Sequence, residues 1–102
     1  MASRVEELQE LLENILESNH VYFQPPPSVK INYPAIIYSL DDIDNKRANN
    51  ILYRTKRKYL VTLIDLDPDS EFIDKLNELP MCSFDRSYKS DNLNHFVFSL
   101  YF

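Results

Sequence analysis

With 102 residues, 44% of them hydrophobic and 13% aromatic, the chain has the apolar content for one folded core and lacks the length for a second. A formal net charge of −5 removes any global attraction for a phosphate backbone or an acidic lipid surface. One cysteine, Cys82, excludes an internal disulfide and fits a reducing compartment, and the complete lack of glycine excludes a phosphate-cradling glycine loop.

The first predicted element is a helix over about residues 4–17. Ser3-Arg4-Val5-Glu6 has the form of a capping box, and Val5, Leu8, Leu11, Leu12, Ile15 and Leu16 recur at helical spacing until Ser18-Asn19 ends the run. Glu6, Glu7, Glu10, Glu13 and Glu17 load its outer side, as solvated residues or as a face that meets a basic partner. Acidic residues among the leucines make this stretch neither a signal peptide nor a membrane span. A short apolar piece, Val21-Tyr22-Phe23, leads into a proline-rich connector over 24–34. Pro25-Pro26-Pro27 locks its backbone near polyproline geometry, which suits a rigid, ordered link better than an SH3 or WW ligand with its exposed repeats.

Ala35–Leu40 reads as a strand apolar on both faces. Asp41–Asn50 is polar enough to predict a long loop, followed by a strand at Ile51–Thr55 and another at Lys58–Asp65. In the latter, Tyr59, Val61 and Leu63 face one way and Leu60, Thr62 and Ile64 the other, so the strand belongs inside a sheet. A second helix is predicted over about 68–79, capped by Asp67, with Pro68 at its first position, an apolar stripe of Phe72, Ile73, Leu76 and Leu79, and Pro80 as its stop. Met81–Tyr88, the turn Lys89–Asn92 and the alternating run Leu93–Phe102 form a closing hairpin over 81–102, with Phe96, Phe98, Leu100 and Phe102 on one face. Without glycine, turns that need positive φ fall to Asn45, Asn49, Asn50, Asp91 and Asn92. The whole predicts a single α+β domain: a mostly antiparallel sheet of about four to five strands with an N-terminal helix and a second helix packed on it.

Chemistry has few candidates. Asp65, Asp67 and Asp69 resemble the opening of a calcium loop, but Ser70 and Leu76 stand where an EF-hand needs glycine and a bidentate glutamate. Pro68-Asp69 resembles part of a metal-dependent nuclease pattern, yet the one acid-x-lysine triplet, Asp44-Asn45-Lys46, lies upstream of it. His20, His95 and Cys82 are not spaced as zinc ligands or as a nucleophile with its base. These residues predict no catalytic centre, no metal site and no cofactor. The rival reading is a small metal-dependent nuclease or hydrolase on the Asp65, Asp67 and Asp69 cluster, which a melting shift with divalent metal would favour. A stand-alone adaptor that never assembles is a third. Charge is concentrated in one place. Lys46, Arg47, Arg54, Lys56, Arg57 and Lys58 follow Asp41, Asp42 and Asp44, close enough for the acids to neutralise the bases. The segment therefore predicts an arm that pairs with itself or with another subunit in preference to nucleic acid.

Four runs then carry a resemblance: Tyr33–Asn45, Tyr59–Ser70, Cys82–Arg86 and Ser90–His95. Over about residues 20–102 they resemble small proteins of long-tailed bacteriophages from the head–tail connection genes, labelled minor capsid, tail completion or tail terminator proteins. The resemblance implies an α+β subunit, found in the virion and assembled in the host cytoplasm, that forms a usually hexameric ring on the head-proximal end of the tail tube. Its partners would be copies of itself, the tail tube protein and the head-completion protein, with DNA only as cargo and no membrane. It implies no catalytic residues. In that setting Asp41, Asp42, Asp44, Lys46, Arg47, Arg54, Lys56 and Arg57 become candidate subunit-contact residues, and Asp41, Asp42 and Asp44, or the glutamates of the first helix, would face the lumen. A head-closure or tube protein of the same neck region is the neighbouring alternative.

Overall fold

The structure is a computed structural model that describes residues 3–48 and 51–102, and of 44–48 and 51–56 it describes the backbone alone. Helix α1 spans Arg4–Leu16, β1 Val21–Phe23, β2 Ala35–Ala48, β3 Ile51–Asp65, α2 Phe72–Asn77, β4 Cys82–Ser90 and β5 Leu93–Tyr101. The strands form one sheet in the order β1-β2-β3-β5-β4. Among the described residues only the β1–β2 pair is parallel, and the β2–β3, β3–β5 and β4–β5 pairs are antiparallel. This is the expected α+β class. No helix among the described residues is long and apolar enough to cross a membrane.

Alternation decides which face of the sheet is covered. Ile36 and Tyr38 of β2, Tyr59, Val61 and Leu63 of β3, and Phe96, Phe98 and Leu100 of β5 share the face on which Leu8, Leu12 and Leu16 of α1 and Phe72 and Leu76 of α2 settle. Each such side chain contributes about 1.5–3 kcal/mol through removal from water, so this layer dominates the stability. On the opposite face Ala35, Ile64 and Val97 are also buried, in keeping with a central β3 that is apolar on both sides.

The Ser3 half of the expected capping box forms: its hydroxyl accepts a hydrogen bond from the Glu6 amide at 3.1 Å. The end of α1 is Glu17, in the left-handed region at φ 57° and donating its N–H to the Glu13 carbonyl. The start of α2 is not as predicted. Asp67 does not cap it, because the Asp67 carboxylate accepts from the Asp69 amide at 2.9 Å inside a turn, and the helix begins only at Phe72. Ser70, buried at 5% exposure, takes over with its hydroxyl accepting from the Phe72 amide at 3.3 Å. Pro68 thus lies in a turn before the helix, which is one and a half turns long and ends short of Pro80.

Positive φ occurs at Glu17, Gln24, Met81, Asp91 and Asn92. Asp91 and Asn92 are as expected: they form the two-residue link between Ser90 and Leu93, where an I′ hairpin turn needs positive φ at both positions. Asn45 instead sits in the ladder opposite Thr55. Asn49 and Asn50 lie outside the described residues. Glu17, Gln24 and Met81 take up geometry that glycine would hold more cheaply, which residue identity alone did not signal.

Candidate subunit-contact surface

The expected loop at Asp41–Asn50 is a correction: β2 continues through it to Ala48, and the two expected strands at Ile51–Thr55 and Lys58–Asp65 are one strand, β3. Polar composition reads as loop because a strand is recognised from sequence by a regular apolar face, and Asp41–Asn50 offers no apolar alternation. Its cohesion comes from the ladder. Asp42 stands opposite Lys58, Ile43 opposite Arg57, Asp44 opposite Lys56, Asn45 opposite Thr55 and Lys46 opposite Arg54. The Lys58 ammonium lies 3.4 Å from the Asp41 carboxylate, and the Asp42 carboxylate accepts from the Ile43 amide at 2.8 Å. The register thus sets acids opposite bases near the body, where a solvent-facing pair such as Asp41 with Lys58 adds a few tenths of a kcal/mol. Farther out the register sets Lys46 against Arg54, two like charges, with Arg47 next along β2.

Beyond the body the ribbon stands alone. The β1 ladder ends at Phe23 opposite Tyr38, extended by the Gln24 amide to the Tyr38 carbonyl and by the Leu40 amide to the Gln24 side chain. The β5 ladder ends at Tyr101 opposite Lys58, extended by the Phe102 amide to the Arg57 carbonyl. Past these points β2 and β3 pair with each other alone among the described residues. The molecule measures 51 × 27 × 24 Å. At about 3.3 Å per residue the fifteen residues of β3 span about 46 Å, so the strand runs along the long axis and the ribbon is not folded back on the body.

Bulges after Leu40 and after Lys46 adjust its twist. The first leaves Asp41 without a ladder partner and returns Ile43 to the core side of the sheet. Phe23, Leu40 and Ile43, at 36%, 39% and 43% exposure, therefore prolong the core face as a strip onto the base of the ribbon. Sequence reasoning missed this strip. Its one signal, Ile43 amid three aspartates, becomes legible only with the register.

The other candidates do not converge. Among the described residues no group of three His, Cys, Asp or Glu side chains is placed to hold a metal ion, and no enclosed pocket forms. The Asp65 and Asp67 carboxylates accept from the Asp67 and Asp69 amides, which gives both a turn-forming task. His95 stacks on Tyr88 with ring centroids 4.6 Å apart, and burial pushes the half-buried Cys82 thiol above its usual pKa, which disfavours the reactive thiolate. The strongest buried polar group is Tyr38. Its hydroxyl donates to the Gln9 side chain at 2.6 Å, and burial, with help from Tyr59 and Glu13, pushes its pKa to about 12. Gln9 in turn donates to the Val21 carbonyl at 2.8 Å, so one amide ties α1 to β1 and β2. No known protein family matches the chain, nor does any curated protein or solved structure.

Proposed function

We propose that this protein is a structural subunit of a bacteriophage tail, which assembles with copies of itself as a ring at the head-proximal end of the tail tube, ends tube growth there and offers a docking face to the head. In this reading it works through subunit contacts, without a reacting centre or cofactor, in the virion neck beside the tube protein and the head-completion protein. The observation that carries it is the charged two-stranded ribbon that projects from a small α+β body. A two-stranded ribbon is marginal in water unless something supports it, and beyond the body this one offers two edges without a ladder partner among the described residues, together with the strip of Phe23, Leu40 and Ile43. A ring needs contacts between different surfaces of one subunit and the next, and a projecting element supplies one half of such a contact. The net negative chain also suits a passage through which DNA slides without sticking.

Removal of Asp44–Asn50 tests the reading. The shortened chain keeps the core and should melt as a folded monomer, yet fail to form rings or to cap tail tubes under the electron microscope. Rings and capped tubes at the native level would refute the role of the ribbon. Location separates terminator from tube protein: a single ring at the upper end of the tail against many stacked rings.

A further inference from the structure

The charge of this chain is divided between two parts. Residues 41–58 hold three of the sixteen acidic residues and six of the eleven basic ones, a net of +3, which leaves −8 for the remainder of a chain whose total is −5. On α1 the acids are ordered. Glu6, Glu10, Glu13 and Glu17 follow one another at intervals of four, three and four residues, which places them in one stripe along the helix. Like charges at that spacing repel, the last turn holds no basic residue, and Glu17 at the C-terminal cap opposes the helix dipole. Among the described residues, Glu13 accepts from a neutral partner, the Gln9 amide at 3.1 Å. The stripe is thus a surface whose own helix is strained by it and which a basic strip would relieve.

The ribbon is a basic strip of matching size. From the level of Arg47, opposite Leu52, to Lys56 the ribbon covers about 13 Å, and Glu6 to Glu17 covers about 16 Å of α1 and its cap. The register adds Lys46 opposite Arg54, an arrangement that a nearby carboxylate stabilises and water does not. The ribbon extends from the body along the 51 Å axis, whereas its own α1 packs on the core of that body.

We infer that the basic outer ribbon of one copy, Lys46, Arg47, Arg54 and Lys56, docks on the Glu6–Glu10–Glu13–Glu17 stripe of a second copy. The inference rests on the ring reading above for its head-to-tail sense. It assigns the helix glutamates to the subunit contact and so takes them out of the lumen.

Charge exchange tests it. An arm variant (Arg54→Glu with Lys56→Glu) and a helix variant (Glu6→Lys with Glu10→Lys) are made separately and combined in one chain, with circular dichroism melts to verify folding. Mass by light scattering is read at low and high salt. The native chain should associate at low salt and dissociate at high salt, because exposed charge pairs are screened. Each pair alone should stay monomeric, while the combined chain, and an equimolar mixture of the two variants, should associate again. Association of either variant at the native level, failure of the combined chain to recover, or a native chain that stays monomeric at low salt would overturn the contact. Tube capping reports separately: a chain that associates by this contact yet caps no tubes overturns the ring-terminator role and leaves the contact standing.

Discussion

Glu17 and Met81 each hold a side chain in the left-handed region, at φ 57° and 61°. A Cβ there costs roughly 1–2 kcal/mol, and glycine's greater freedom in the unfolded chain takes back about 0.5–1, so glycine should gain about 0.5–1 kcal/mol at each site. At Glu17 the change also removes a negative charge from the C-terminal end of α1, a further few tenths. The two sites share no partner: the Glu17 N–H bonds to Glu13, the Met81 carbonyl to the Tyr101 amide. Their gains should therefore add to about 1–2 kcal/mol, which for a domain of this size raises Tm by about 5–15 °C. Gln24, at φ 43°, is the internal control, since its side chain accepts the Leu40 amide at 3.1 Å and glycine would lose that bond. Gln24→Gly should be neutral or destabilising, and Asn14→Gly, within α1, should lose a few tenths of a kcal/mol. Thermal and urea melts of the four variants decide it. A Glu17→Gly, Met81→Gly double variant no more stable than the native chain would refute the reasoning.

Two tyrosines with the same chemistry should respond in opposite directions. Tyr38→Phe removes a hydroxyl bonded to Gln9 and should lose about 1–2 kcal/mol, whereas Tyr59→Phe removes a buried hydroxyl with no partner among the described residues and should be neutral or gain up to about 1 kcal/mol. Urea midpoints at constant slope measure both. Tyr38 also sets an alkaline limit. Its folded pKa, about 12, lies above the unfolded value near 10, so its contribution is complete below pH 10 and is lost as pH rises from 10 towards 12. Phenolate absorbance should lose a late-ionising component in Tyr38→Phe, and the same change should flatten the alkaline fall in stability.

What was legible before the structure follows the burial of each segment. The α1 stripe, the apolar β3 and the alternation of β5 carry a period because one face of each meets the core, and a core selects residue type at every repeat. The Asp91-Asn92 turn was legible because few residues other than glycine accept positive φ easily. The start of α2 was misread since Asp67-Pro68 can cap a helix or close a turn equally well, and the position of Ser70 in the core decided between them.

The ribbon escaped for the same reason in reverse. The order of residues alone determined that the chain carries a basic segment beside an acidic one and a row of glutamates along its first helix. Only the tertiary structure decided that the charged segment is a strand pair, that Asp42 and Asp44 stand opposite Lys58 and Lys56, and that the segment projects away from the body. A ladder is specified by what lies across it, residues sixteen and twelve positions away in these two pairs, and no local pattern records that distance.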